Sequence, residues 1–192
     1  MAEVLGIEAA ASQSTLSRFF GGFNQRACQP LSRLHSRTVF SLPSRREGYT
    51  LDLDSWALLH EDGHQEGVAV GYTRRGLKPC HRPLIAGLAE AKLMANDWRR
   101  PGNTAWVNGA AEFLRQTVPG LPTHLRPGLV CGDSGFGAAS VQDACAALRL
   151  QFVFAAKLTR KVQWLCRHDE TAWPATEVPG LSVQEVALER PG

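Results

Sequence analysis

The segment 129–158 constrains the fold of this chain more than any other part of the sequence. A short apolar run over 129–131 is followed by a helical pattern over 140–150 and by a second apolar run over 151–158. Two such runs joined by a helix form a β-α-β unit, whose strands lie parallel and whose connection is right-handed. The chain must therefore build a sheet that contains parallel strands and that a helix covers.

The part of the chain before this segment predicts additional strands. Residues 49–55 and 66–73 have strand-like patterns, and 82–96 is an apolar stretch that is extended or ambiguous. Asn108 is the predicted cap of a helix that runs to about Val118. Strands that come first and then alternate with helices predict a mixed sheet covered by helices. The fold class that we expect is α/β, with α+β as the alternative.

The composition narrows the classes of protein that the chain can belong to. Its 192 residues are 44% hydrophobic, which suits one globular domain with a core, and its net charge of +3 permits nucleic acid binding. The five cysteines are irregularly spaced and form no CxxC pair, so the pattern predicts neither a disulfide framework nor a zinc site. No apolar run approaches the ~20 residues that a membrane-spanning helix needs. A zinc site would have to use four residues whose spacing fits no standard site, namely His60, His64, Cys80 and His81.

The first strand carries two acids in the stretch "YTLDLDSW", residues 49–56. Side chains alternate across a strand, so Leu51 and Leu53 share one face while Asp52 and Asp54 share the other. Two unpaired carboxylates on one face repel each other and are costly to desolvate. We therefore expect a cationic partner nearby: an arginine, a lysine or a metal ion.

A third acid, Asp133, follows the apolar run 129–131 within "GDSGFG". Ligand sites of open α/β sheets lie at the carboxyl ends of strands. If the two strands are neighbours, Asp54 and Asp133 converge, and such a carboxylate pair suits Mg²⁺. The alternative is that the strand acids face water and that Asp133 is only a turn former.

Several segments that occur in order between Ser12 and Lys161 are familiar as a set: SQSTLSRF, LDLDS, GHQEGVAVGY, HRPLIAGLAE, RPGNTAWVNGAAEFLR, DSGF and FVFAAKLTR. Together they resemble the DDE transposases of bacterial insertion sequences, in the DDE group 1 branch. The resemblance covers nearly the whole chain.

This resemblance implies an RNase H-like fold, a mixed sheet flanked by helices, with a short N-terminal helical segment. It implies metal-dependent phosphodiester hydrolysis and strand transfer at insertion-sequence ends, with Mg²⁺ as the cofactor and Mn²⁺ as a substitute. By the same resemblance Asp54 and Asp133 are catalytic residues and metal ligands, and Asp52 is a further candidate ligand. The implied partner is DNA, namely the terminal repeats of the insertion sequence.

Five basic residues are candidates for DNA contact. Lys157, Arg160 and Lys161 follow the last predicted strand, and Arg99 with Arg100 match a loop of the family. Contacts to phosphates would supply affinity for DNA rather than recognition of its base sequence. The alternatives are a solvated loop and residues that merely flank a turn. A cytoplasmic, nucleoid-associated bacterial protein without a membrane partner is expected, and a homodimer is left open.

The chain also departs from the family pattern. Trp56 stands where the family has a threonine, and the family's third acid, a glutamate, is expected beyond residue 192 because Glu177, Glu185 and Glu189 lie in no matching motif. We therefore expect three regions in a truncated chain: 1–40 as a remnant of a DNA-binding region, 48–161 as a partial RNase H-like domain, and 162–192 as an interrupted insertion or tail. The alternative function is an inactive DNA-binding or dimerising remnant. A metal-dependent nuclease or phosphatase is a weaker alternative.

Overall fold

The computed structural model describes residues 11–22, 40–41, 48–60, 65–168, 174–181 and 183. We number the strands and helices in chain order. The strands are β1 Tyr49–Asp54, β2 Leu58–Leu59, β3 Ala69–Thr73, β4 Gly76–His81, β5 Leu84–Leu88, β6 Leu93–Trp98, β7 Pro127–Gly132 and β8 Gln151–Phe154. The α-helices are α1 Gln13–Gly21, α2 Ala110–Gly120, α3 Ala139–Ala147 and α4 Arg160–His168, and a 3₁₀ turn spans Thr123–Leu125.

Five strands form the main sheet in the order β6-β5-β1-β7-β8. Strand β5 is antiparallel to both β1 and β6, whereas β1, β7 and β8 run parallel to one another. The β7-α3-β8 unit confirms the predicted pair of parallel strands joined by a helix. The sheet is mixed and flanked by helices, which confirms the predicted α/β class.

One face of the main sheet is packed and the other carries the acids. Leu51 and Leu53 of β1 are buried at 0% and 4% exposure, whereas Asp52 and Asp54 are exposed, which confirms the predicted alternation. The buried face packs against apolar side chains of α2 and α3, including Phe113. Because the strand period is two, this packing fixes which face presents the carboxylates.

A three-stranded sheet, in the order β2-β4-β3, is inserted between β1 and β5. Its β3–β4 hairpin turns at Arg74 and Arg75, and Gly76 follows with φ of +88°. The inner side of this sheet packs against the loop after β6, where Gly71 and Gly102 meet backbone to backbone. The inserted sheet is therefore fixed to the loop that leads from β6 to α2.

Several elements differ from the sequence predictions. The stretch 82–96 is not one segment but two antiparallel strands, β5 and β6, with Lys92 in the left-handed region at the turn. Asn108 does not cap helix α2: the N-cap is Gly109, whose φ is +78°. Helix α4 runs from Arg160 to His168 and so crosses the expected boundary between the regions 48–161 and 162–192.

The predicted short N-terminal helical segment is confirmed where the structure describes it, whereas its origin as a remnant of a DNA-binding region stays a prediction. Helix α1 begins after Ser12, whose hydroxyl accepts a hydrogen bond from the backbone N–H of Thr15 at 3.2 Å, and the helix ends at Gly21. Most of the remaining region 1–40 and much of 162–192 lie outside the described residues. In the described part of the chain, no helix is long and apolar enough to cross a membrane.

Candidate active site at the carboxyl end of the main sheet

Four strands of the main sheet finish at the same end, which we call the carboxyl end of the sheet. Strands β1, β7 and β8 are parallel, and β6 has the same direction because β5 is antiparallel to both β1 and β6. The chain first extends the sheet from β1 to β5 and β6, and then returns to place β7 and β8 on the other side. The position between β1 and β7 is thus the topological switch point, where open α/β sheets bind ligands.

Asp54 and Asp133 lie side by side at this switch point. Leu53 of β1 is in register with Gly132 of β7, so the next residues of the two strands are Asp54 and Asp133. Neighbouring strands are ~4.8 Å apart. The structure therefore brings together the two acids that the sequence singled out, although they are 79 positions apart in the chain (133 − 54).

Each of the two carboxylates is held by a backbone amide of its own turn. The N–H of Ser55 donates to Oδ1 of Asp54 at 2.7 Å, and the N–H of Gly135 donates to Oδ1 of Asp133 at 2.8 Å. Within the part of the chain that the structure describes, Oδ2 of each carboxylate accepts no hydrogen bond and forms no ion pair. One oxygen of each acid is therefore oriented by the fold, and the other remains available to a ligand.

Asp52 lies on the same exposed face, two residues before Asp54, and is in register with Cys131 of β7. Burial raises the pKa of the Cys131 thiol, and the negative charges of Asp52 and Glu90 raise it further. Two residues of a strand span about 6.8 Å, so Asp52 lies back from the switch point. Its role as a metal ligand stays a prediction.

The residues present fit a hard divalent cation such as Mg²⁺. Such ions take oxygen ligands and are often held by one or two carboxylates together with substrate phosphates. Asp54 and Asp133 supply two exposed carboxylates on adjacent strand ends, each with one oxygen left available. Over the described residues, no group of three or more His, Cys, Asp or Glu side chains is placed to hold a metal ion.

Exposed cations flank the acid pair on both sides. Arg99 follows the end of β6 and is exposed, and Lys157 follows the end of β8. Arg160 and Lys161 lie in the first turn of α4, which contains no acidic residue. In the described part of the chain none of these four side chains forms an ion pair. Within the described residues, no carboxylate therefore neutralises these four charges at the carboxyl end of the sheet.

Arg100 does not share this exposure, and the prediction that it contacts DNA is corrected. Its side chain is 7% exposed, and its guanidinium donates to the carbonyl groups of Arg82, Ala105, Trp106 and Asn108. The remaining nitrogen, Nη2, donates to Oγ of Ser55 at 3.1 Å. Burial, and after it the neighbouring Arg82, lowers the pKa of Arg100 to about 10, so the side chain stays protonated at neutral pH.

The structure adds residues that the sequence analysis did not select. Ser55 is 3% exposed beside Asp54, Arg82 is 3% exposed, and its guanidinium stacks on the ring of Trp106 at 4.3 Å. Trp56, which the sequence analysis noted as a departure from the resembling pattern, is half-exposed next to Ser55. The sequence signal for this group was that Ser55, Arg82 and Trp106 fall within the segments that carry the resemblance.

Comparison with known proteins decides the family. The family described as transposase DDE domain group 1 matches residues 1–184. This chain belongs to that family. The match includes both Asp54 and Asp133 and all the basic residues at the carboxyl end of the sheet. A search of curated protein sequences found no match.

Two solved structures show more distant likeness to this group 1 DDE chain. One is the piggyBac transposase synaptic complex with hairpin DNA, with 12% identity, a TM-score of 0.49, and coverage of 76% of this chain and 30% of that chain. The other is the simian T-cell lymphotropic virus intasome in complex with the PP2A regulatory subunit B56 gamma, with 10% identity and a TM-score of 0.37. In that case 67% of this chain and 45% of the other are covered. The chain thus spans less than half of either solved chain, and no residue is assigned from these two likenesses.

Proposed function

We propose that this chain carries part of the catalytic domain of a DNA transposase that acts on insertion-sequence ends. The observation that supports the proposal best is the placement of Asp54 and Asp133 on adjacent ends of parallel strands at the switch point of the sheet. Membership of the DDE group 1 family gives this pair its chemical context. The reaction class is metal-dependent attack on phosphodiesters: water first cleaves one bond and frees a DNA 3′-hydroxyl, and that hydroxyl then attacks a second phosphodiester and displaces its 3′-oxygen.

Asp54 and Asp133 would hold the divalent cation through the oxygens that the fold leaves available, with Mg²⁺ as the expected ion and Mn²⁺ as a substitute. When bound, such an ion supplies Lewis acidity at the phosphate and lowers the pKa of an attacking water. The backbone amides of Ser55 and Gly135 would keep the two carboxylates oriented before substrate arrives. Preorganisation of this kind lowers the cost of reaching the reactive geometry.

The DNA would run across the carboxyl end of the sheet, between Arg99 on one side and Lys157, Arg160 and Lys161 on the other. Phosphates are attracted by such cations, and each neutralised phosphate releases counterions. The N-terminus of helix α4 would add its partial positive charge on the β8 side. The acid pair would then lie beneath a scissile phosphate rather than beside a base edge.

A plasmid-nicking assay tests the catalytic part of this proposal. The purified chain is incubated with supercoiled plasmid and Mg²⁺ or Mn²⁺, beside Asp54→Asn and Asp133→Asn. Glu112→Gln is the matched control, because Glu112 is an exposed acid on helix α2. We expect metal-dependent nicking that each Asp variant loses by more than the ~10- to 100-fold that loss of a supporting group costs, and that the control keeps.

A second candidate is a chain that binds DNA ends without cutting them. It is favoured by one observation: in the described residues the candidate ligands form a pair and not a group of three. DNA binding without nicking, in the presence of either metal, would support this candidate and contradict the catalytic proposal. Nicking that persists in both Asp variants would contradict the assignment of the site.

A further inference from the structure

The buried guanidinium of Arg100 connects the loop after β6 to the turn that holds the first acid. Nη1 donates to three carbonyl groups of one loop, at 3.2 Å to Ala105, 3.3 Å to Trp106 and 2.6 Å to Asn108. Nη2 of the same side chain donates to Oγ of Ser55, whose own N–H donates to Asp54. One rigid, planar group thus fixes the loop and the Asp54 turn relative to each other.

The same loop also contacts the turn that holds the second acid. A Cβ atom built on Gly135 would lie 3.1 Å from Cβ of Trp106 and 2.9 Å from Oδ1 of Asp133. Trp106 therefore packs directly against the turn whose amide orients Asp133. The guanidinium of Arg82 lies over the indole ring of the same tryptophan, 4.3 Å from the ring centroid.

Arg82 and Arg100 hold each other in place. The N–H of Arg82 donates to the carbonyl of Arg100 at 2.8 Å, and Nε of Arg100 donates to the carbonyl of Arg82 at 3.0 Å. Nε of Arg82 donates to the carbonyl of Gly102 at 3.3 Å, and its Nη2 donates to the carbonyl of Tyr72. Both side chains are more than nine-tenths buried, and within the described part of the chain neither has a carboxylate partner.

Such an arrangement is costly as a device for stability alone. Burying a charge costs free energy that hydrogen bonds to neutral carbonyl groups repay only in part, and apolar replacements of buried charges are often neutral or stabilising. Two adjacent cations add mutual repulsion. What the guanidinium of Arg100 provides, and an apolar side chain would not, is a set of hydrogen bonds from Nη1 to three carbonyl groups of the loop and from Nη2 to Ser55 of the Asp54 turn.

We propose that Arg100 is a positioning residue that sets the geometry of the Asp54–Asp133 pair by holding the Trp106 loop between the two acid turns. The proposal rests on the proposed function for its chemical purpose. The structural part of the proposal is independent of that function, because the loop must couple the Ser55 turn to the Gly135 turn whether or not a metal ion binds. This role replaces a contact with DNA, because Arg100 is only 7% exposed.

Amide hydrogen exchange tests the coupling without metal or DNA. The variants are Arg100→Lys, which keeps the charge but loses the planar fork, and Ser55→Ala, which removes only the hydroxyl that Nη2 reaches. Arg99→Ala is the matched control, because Arg99 is the adjacent exposed arginine. We expect at least tenfold faster exchange at the N–H of Gly135 in both variants, unchanged exchange in β5 and β7, and no change in the control.

Metal affinity gives the second readout. Mn²⁺ binding to the chain should weaken about tenfold in Arg100→Lys and in Ser55→Ala, as for groups that support a metal ligand, while affinity for DNA stays unchanged. Wild-type exchange at Gly135 in both variants would overturn the positioning role. If Arg100→Lys does not fold, Ser55→Ala alone decides the outcome, since it deletes a single oxygen. Wild-type protein that binds no Mn²⁺ would count against the proposed function, and the exchange result would still decide the role of Arg100.

Discussion

Gly71 on β3 and Gly102 in the loop after β6 are in direct backbone contact. A Cβ atom on Gly71 would collide with the carbonyl group of Gly102, and a Cβ atom on Gly102 would lie 2.5 Å from both the carbonyl oxygen and Sγ of Cys80. Because backbone atoms cannot move aside as a flexible side chain can, neither position has room for a methyl group. This contact fixes the inserted sheet to the loop that Arg100 organises.

Alanine at Gly71 or at Gly102 should therefore destabilise the protein. Overpacking of this kind costs about 1–3 kcal/mol in the free energy of unfolding, to be measured by urea denaturation. Gly128→Ala is the control, since a Cβ atom there meets nothing within 4 Å. Equal stability of Gly71→Ala and Gly128→Ala would mean that the backbone contact is not maintained in solution.

Arg99→Ala should weaken DNA binding mainly through phosphate contacts. Loss of one such contact lowers the slope of log K against log salt by about 0.9 and affects all DNA sequences alike. The measurement is a salt titration of binding to a labelled duplex. Arg115→Ala is the control, because Arg115 lies on α2 and pairs with Glu112 at 3.7 Å. An unchanged slope in Arg99→Ala would remove Arg99 from the DNA-binding surface.

The His60–His81 pair should make stability depend on pH. Nε2 of His81 must donate to the carbonyl of Glu66, so its Nδ1 accepts from Nε2 of His60 at 2.8 Å. Burial, then His81 and then Arg99 lower the pKa of His60 below its ordinary value of 6.5. The unfolded chain thus binds a proton more readily, and stability is lost as the pH falls from 6.5 toward the lowered pKa.

Thermal unfolding between pH 5 and pH 8 measures this effect. His60→Gln retains a donor for His81 but cannot titrate, so we expect its stability to change less with pH than that of the wild type. His124→Gln, at an exposed position in the 3₁₀ turn, should retain the wild-type profile. If the stability of His60→Gln depends on pH as that of the wild type does, His60 is not the source of the pH dependence.

The reactivity of the Cys131 thiol should depend on the charge of Asp52. Because Asp52 contributes to the raised pKa of the Cys131 thiol, Asp52→Asn should lower that pKa and increase the thiolate fraction. Alkylation by iodoacetamide should therefore accelerate, although burial, the larger cause of the raised pKa, remains in the variant. Mass spectrometry of the peptide that contains Cys131 gives the rate, with Asp97→Asn as control. A slower reaction in Asp52→Asn would contradict the electrostatic assignment.

Much of the main sheet could be predicted from short-range patterns. The alternation of Leu51 and Leu53 with Asp52 and Asp54 fixed the faces of β1, and the strand-helix-strand segment predicted the parallel pair β7 and β8. Adjacent placement of Asp54 and Asp133 then depended only on whether β1 and β7 are neighbours, which they are. These features follow from periodicity, which a single sequence displays directly.

The parts that could not be predicted depend on tertiary contacts. Strand β4 contains Pro79, which cannot donate a backbone hydrogen bond and therefore weakens any strand pattern. The burial of Arg100 contradicts the usual exposure of arginine and depends on a ring of carbonyl groups that only the folded loop presents. The resemblance marks the segment 100–115, which contains this loop. Nothing in the sequence shows that the guanidinium of Arg100 is buried instead of exposed.

The inserted sheet also bears on the order in which the chain can fold. Its β3–β4 hairpin closes over a two-residue turn, and hairpins form in about 1–10 μs. Asp54 must instead pair with Ile85, 31 positions along the chain (85 − 54), and Leu53 must pair with Gly132, 79 positions along the chain (132 − 53). Non-local pairings of this kind slow folding. Because Asp54 and Asp133 lie at the ends of these two strands, a nascent chain carries no assembled acid pair until β7 has docked beside β1.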